Sequence, residues 1–162
     1  LERLSDKGLE TIERKELAST LFTDDDKELK RRKIKHGDFT KLNTRWNNSR
    51  SGITHKRLQK DNREWAHYHE EYRKARKDWV MTPYKEMVKF YKKRDGLIIG
   101  DFGCGEGFIY KDLSSKHKVH SFDHVAAEEF VTECDFSKTP LDDESLDVAG
   151  GGWLLKVLVV KY

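Results

Sequence analysis

Cysteine and proline are nearly missing from this chain, with two of each in 162 residues. Cys104 and Cys134 have no paired spacing, so neither a disulfide framework nor a zinc cluster is expected. A reducing cytosolic or nuclear compartment fits better than a secreted one. No apolar run approaches the roughly 20 residues needed to span a bilayer, and no signal-peptide pattern opens the chain. Hydrophobic residues make up only 36% against 38% charged. That balance leaves part of the chain as exposed helix or flexible segment. Leu1 rather than methionine comes first, which reads as a piece of something longer.

What is plentiful is charge, unevenly placed. The net charge of +3 divides into a basic part, residues 1–96, with 26 Lys+Arg and 17 Asp+Glu, and an acidic part, 97–162, with 6 and 12. Residues 41–94 hold 16 basic and 6 acidic side chains, so the positive charge is concentrated there. A basic module joined to an acidic one implies a polyanionic partner on one side and different chemistry on the other.

Along the chain, residues 1–42 read as a charged helical extension. Leu9, Ile12, Glu16 and Leu17 lie near one face, and a second helix runs through Lys27–Lys35 from a start in Asp24–Asp26. Residues 43–54 (NTRWNNSRSGIT) are rich in Asn, Ser and Gly and look like a loop or linker. A helix follows from Asp61 to Trp79, with Trp65, Tyr68, Tyr72, Ala75 and Trp79 on one stripe and Asp61 and Glu64 at capping-box spacing. That stripe either stacks nucleotide bases or packs the helix onto the next domain. Pro83 forces a break, and Tyr84, Met87, Val88 and Tyr91 form the apolar face of another helix. The basic helical region thus extends over 43–95. From residue 96 the pattern becomes strand (Leu97–Ile99), helix (Phe108–Leu113), strand (Val119–Phe122), strand (Phe130–Cys134) and the start of a fourth strand (Leu146–Ala149). This alternation predicts an α/β fold with a parallel, doubly wound, Rossmann-like sheet.

The chemistry centres on Asp101-Phe102-Gly103-Cys104-Gly105-Glu106-Gly107, directly after the first strand. Glycines there let the backbone turn sharply and approach a ligand, and the next helix presents free N–H groups. The spacing is G-x-G-x-G with an acidic residue ahead of it, not the G-x-G-x-x-G of dinucleotide sites. That variant favours S-adenosylmethionine, whose amino group is cationic, with Asp101 as its carboxylate partner. Asp123 ends the second strand, where a carboxylate would accept from the two ribose hydroxyls. Asp135 follows the third strand, suited to the adenine amino group, with Phe136 beside the ring. His67 and His69 point in different directions on a helix. His117, His120 and His124 lack companion ligands at recognised spacing, so no metal is expected.

These residues resemble the ribosomal RNA-processing protein 8 family of class I methyltransferases. The likeness rests on YHEEY at Tyr68–Tyr72, KDWVMTP ending at Pro83, GDFGCGEG at Gly100–Gly107, SFDH at Ser121–His124 and CDFSKTPLDDESLDVA at Cys134–Ala149. It implies methylation of adenine N1 in large-subunit ribosomal RNA, in a nucleolus or, for a bacterial protein, in the cytoplasm. It also implies cofactor contacts from Gly105, Asp123, Asp135, Phe136 and His69, with Gly103 and Cys104 in the same turn. The basic region 41–94 would then hold RNA. No catalytic side chain is identified, since adenine N1 carries its own lone pair.

The sequence departs from that family after Ala149, where a loop, a long helix and a turn are replaced by Gly150-Gly151-Gly152. A three-glycine turn cannot connect parallel strands. The expectation is therefore an incomplete 96–162 domain with a break in the chain after Ala149, and an inactive fragment if the segment is truly lost. Two alternatives remain. One is a same-fold methyltransferase acting on DNA, protein or a small molecule. The other is a non-catalytic cofactor- or RNA-binding module of a larger protein, such as a helicase fusion.

Overall fold

The computed structural model describes residues 26–77, 79–151 and 154–159. The first expected helix, around Leu9–Leu17, lies outside them. Helix α1 spans Asp26–His36, α2 Phe39–Asn47, α3 Ser51–Lys60, α4 Arg63–Arg76 and α5 Pro83–Tyr91. Among the described residues no helix is long and apolar enough to cross a membrane.

Two expectations about these helices fail for the same reason: burial overrides local signals. The 43–54 stretch is not a loop but the end of α2 and the start of α3. Leu42 is the buried anchor of α2, Thr54 and Leu58, four apart, are those of α3, and Asp38 caps α2 by accepting the Lys41 N–H at 3.0 Å. Nor does Asp61 form a capping box with Glu64. Asp61 accepts from the Arg63 backbone N–H at 3.2 Å and clamps its guanidinium at 2.8 and 2.9 Å. Glu64 instead turns inward, accepting from Trp46 Nε1 at 2.7 Å and pairing with Arg45 and Arg57, each at 3.1 Å. Trp79 lies past the end of α4 at Arg76, not on its stripe.

The stripe itself packs inward. Trp46 stacks on Tyr68 with ring centroids 4.3 Å apart, and Phe39 lies 5.6 Å from Tyr68 and 5.9 Å from Tyr72. Arg32 and Lys33 of α1 reach Glu70 and Glu71 of α4 at 3.0 and 3.5 Å. A core of Leu58, Trp65, Ala66 and Val125 joins α3 and α4 to the loop after the second strand.

The sheet consists of β1 (Ile98–Phe102), β2 (Lys118–Asp123), β3 (Val131–Glu133), β4 (Val148–Gly151) and β5 (Leu154–Val159), with α6 (Phe108–Leu113) between β1 and β2. Its order is β3-β2-β1-β4-β5. The pairs β3–β2, β2–β1 and β1–β4 are parallel, so the expected Rossmann-like sheet is present. Helices α5 and α6 cover it through Met87, Val88, Tyr91, Ile109 and Leu113, which pack with Ile99 and Val148. The chain passes from β1 to β2 on one side and later returns to β4 on the other. The carboxyl end of β1 is therefore the switch point, where open α/β sheets bind ligands.

The break expected after Ala149 is absent. Ala149 pairs with Gly100 and Gly150 with Asp101 in unbroken register. β5 then runs back antiparallel to β4, pairing Ala149 with Leu158 and Gly151 with Leu154. So short a link permits only an antiparallel return, and β4 and β5 form a hairpin instead of a crossover pair. Glycine is needed for close approach here, because a Cβ on Gly151 would lie 2.1 Å from the Phe102 carbonyl oxygen.

Candidate functional site

Asp101 and Asp123 end neighbouring parallel strands, and the glycine turn lies between them. Gly103, Gly105 and Gly107 have φ of 70°, 56° and 66°, all left-handed. The turn is tied to β2, since the Gly103 and Cys104 N–H groups both donate to the Phe122 carbonyl at 2.8 and 3.0 Å. Asp123 is fixed from three directions. Its Oδ2 accepts the Gly105 N–H at 2.7 Å. Its Oδ1 accepts from Trp65 Nε1 and from the His124 N–H, both at 2.7 Å.

His69 reaches the same turn from α4. Its ring lies 4.1 Å from that of Trp65 and covers Gly105. A Cβ on Gly105 would fall 2.5 Å from His69 Cε1, in a backbone conformation that L-residues resist. Gly105→Ala is therefore expected to cost about 1–3 kcal/mol in chemical denaturation, by strain and by pushing the imidazole off the turn. A variant as stable as its parent would mean that His69 can swing clear.

The electrostatics follow from burial. Asp101 is 2% exposed, and burial reinforced by the negative Asp123 pushes its carboxyl up to about 7. Burial also pushes the Cys104 thiol well up, so it stays protonated and is no nucleophile. His69 is lowered by burial, more than the carboxylates of Asp123 and Glu106 can offset, and remains neutral. Among the described residues no three His, Cys, Asp or Glu side chains are grouped to hold a metal ion.

Two neighbouring cavities share Tyr68, His69 and Gly103 as walls. The larger, about 370 Å³, continues past Phe102, Asp123, His124 and Phe136, and is closed by Trp46, Asn47, Ser49, Ser51 and Thr54 of the helical region. Its volume is in the range of small-molecule sites, about 300–1,000 Å³. The smaller, about 50 Å³, contains Asp101, Cys104, Gly105 and Glu106 with Tyr72, Arg76, Tyr84 and Phe108. Of the residues singled out in the sequence, His69, Asp101, Gly103, Cys104, Gly105, Asp123 and Phe136 thus come together. Asp135 lines neither cavity. It caps the short 3₁₀ turn Phe136–Lys138, accepting from the Ser137 N–H at 3.1 Å and from its hydroxyl at 2.9 Å. Burial raises its carboxyl, but the hydrogen bonds from Ser137 and Ser51 outweigh that and hold it low.

Sequence reasoning missed Trp46, Ser49, Ser51 and Thr54, because their segment read as linker. It also missed Trp65 as the group that aims Asp123, which no spacing rule discloses. The NTRWNNS segment offered the one available signal, an indole inside a polar run.

Residues 25–155 match a protein family described as a hypothetical methyltransferase. Similar proteins include ribosomal RNA-processing protein 8 of Drosophila melanogaster, 36% identical over 114 residues, covering 70% of this chain and 31% of that protein. The protein of the same name from Caenorhabditis elegans is 38% identical over 82 residues, 50% of this chain and 24% of its own length. The 25S rRNA (adenine(645)-N(1))-methyltransferase of Schizosaccharomyces pombe is 33% identical over 93 residues, 51% of this chain and 29% of that protein. The chain spans less than a third of the length of each of these relatives. With a match over most of its length, and a parallel sheet whose switch point holds the glycine turn, the chain belongs to this methyltransferase family.

Proposed function

We propose that the chain binds S-adenosylmethionine across the two cavities and directs its methyl group to adenine N1 in ribosomal RNA. The observation that carries this reading is Asp101 and Asp123 on adjacent strand ends, around the turn of Gly103–Gly107. The residues present suit the cofactor. Thr54 lines the larger cavity, and its Oγ1 is buried without a hydrogen-bond partner, an unmet polar group beside the space a polar ligand would fill. Asp101 has no ion-pair partner among the described residues, which suits a cationic amino group. A carboxylate offers about four acceptor positions. With three donors on Asp123, one remains for a ribose hydroxyl.

Bound S-adenosylmethionine supplies an electrophilic methyl group on a sulfonium. The protein's part is position and field. Asp101 holds the ammonium, Asp123 the ribose, and Phe136 and Trp46 cover the adenine, with Asp135 near its amino edge. His69, Gly103, Cys104 and Gly105 shape the wall between the cavities. No base is required, since the N1 lone pair attacks directly, and neutral His69 adds no competing cation. The helices of 43–95 supply lysines and arginines for RNA phosphates, in a sequence-tolerant and salt-sensitive way. The target base must leave any helix to reach the methyl group. The ribosomal RNA-processing names of eukaryotic relatives favour a nuclear, nucleolar setting over a bacterial one. We take 1–42 as an extension, 43–95 as a basic helical region and 96–162 as the Rossmann-like domain, with α2 running across the first of these boundaries.

Calorimetry with S-adenosylmethionine tests the site. Binding to the parent and at least tenfold weaker binding to Asp123→Ala are expected, with melting curves confirming that the variant is folded. Unchanged affinity would falsify the assignment. Transfer of labelled methyl to RNA and to DNA then separates the polymers, and binding without transfer to either would leave a cofactor-binding module.

A further inference from the structure

An apolar outcrop faces solvent at the edge of the site. Between α4 and α5 the chain passes through Trp79, Val80 and Met81, which are 41, 107 and 58% exposed. Trp79 is anchored while open to solvent: its indole meets the Tyr72 ring edge-on at 5.6 Å, and Tyr72 lines the smaller cavity. On α5, Phe90 is also exposed, with the Arg94 guanidinium 3.8 Å over its ring.

The surroundings carry one sign. Residues 73–94 hold nine Lys+Arg and two Asp+Glu. Some of that charge is engaged within the fold: Lys74 with Glu70 and Glu71, Lys89 with Glu86, Lys92 with Asp112. Lys77 and Lys85, on either side of the outcrop in sequence, are exposed and form no ion pair among the described residues. A second copy of the chain docked face to face here, through the same patch, would set lysines against lysines. A single-stranded nucleic acid satisfies both features, because unstacked bases offer flat apolar faces and the backbone offers negative charge. A duplex hides its base faces and could use the lysines alone.

We propose that Trp79, Val80 and Met81 form a stacking platform for single-stranded RNA, with Lys77 and Lys85 on its phosphates. This rests on the reading of the chain as an RNA methyltransferase and names the surface that receives strand next to the target base. The platform accounts for apolar side chains held in water in a basic stretch of chain, with Trp79 against Tyr72 of the cavity wall.

Anisotropy titrations with a labelled unstructured oligoribonucleotide, and with a perfect RNA duplex of equal length, test it on the 162-residue chain. Trp79→Ala is expected to weaken single-strand binding roughly tenfold and leave duplex binding unchanged. Val80→Asp alters a fully exposed side chain, so it should fold normally and weaken single-strand binding as well. Lys77→Ala with Lys85→Ala should weaken both ligands and flatten the salt dependence. Single-strand affinity untouched by both Trp79→Ala and Val80→Asp overturns the proposal. So does a dimer in sedimentation that Val80→Asp dissolves while RNA binding persists. Calorimetry with S-adenosylmethionine on the same proteins keeps the two readings apart: its failure in the parent would count against the enzyme, not the platform.

Discussion

Asp101→Asn is expected to stabilise the protein at pH 8 and, in the same molecule, to cripple cofactor binding. The carboxyl of Asp101 titrates near 7 in the fold, against an ordinary 3.8, chiefly because burial penalises its charge. Between those values the native state keeps a proton that the unfolded chain has lost. Stability therefore falls as pH rises from about 4 to about 7, then levels off. Raising the carboxyl from 3.8 to about 7 corresponds to about 4 kcal/mol, the scale of what an uncharged isostere recovers. For a chain of this size the gain should raise the melting temperature by several degrees. The variant's stability should also lose its decline between pH 4 and 7. Binding runs the other way. An ammonium needs the ionised carboxylate, so parental affinity should climb as pH approaches 7 and then flatten, while the variant binds at least tenfold more weakly above pH 7 and approaches the parent as pH falls and Asp101 takes up its proton. A parent whose stability does not change across that range would refute the buried-charge account.

Glu64→Ala carries the second large effect, in the opposite direction. Glu64 is 6% exposed and receives the Trp46 indole, Arg45 and Arg57, with His36 3.8 Å away. Removing one member of a buried charged cluster strands the others, at about 3–5 kcal/mol. Arg45 and Arg57 are about a third exposed and can be partly rehydrated, which places the expected loss near 3 kcal/mol. Glu64→Gln keeps an acceptor for Trp46 and should lose less than half as much. Because Trp46 also walls the larger cavity, Glu64→Ala should weaken S-adenosylmethionine binding too, although it touches no part of that cavity. Urea denaturation of the pair of variants checks this, and a loss below about 1 kcal/mol for alanine would remove Glu64 from its central role.

The parts of this protein legible in the sequence are those governed by short-range rules. The glycine turn declared itself because three left-handed positions tolerate little else, and α6 came out at Phe108–Leu113 as expected. Strands β1 to β4 were visible as short apolar runs, and Asp101 and Asp123 as their acidic ends. What escaped is non-local. Residues 43–54 lacked apolar periodicity, yet Leu42, Thr54 and Leu58 are pulled into helices by the partners they meet. The capping-box spacing at Asp61 was real, but Glu64 had three distant donors to satisfy. The hairpin of β4 and β5 followed from the length of the link, where likeness to the family pointed to a break.

The hydrogen bond from Trp65 to Asp123 spans 58 positions of chain. It means that the acidic half of the molecule does not own its binding residues outright. A segment beginning at Gly96 would retain the turn and both carboxylates, yet lose the indole that aims one of them and the imidazole that roofs the glycine loop. The proposed cofactor site is thus a property of the junction between basic helices and sheet, and its geometry exists only where the two halves are docked.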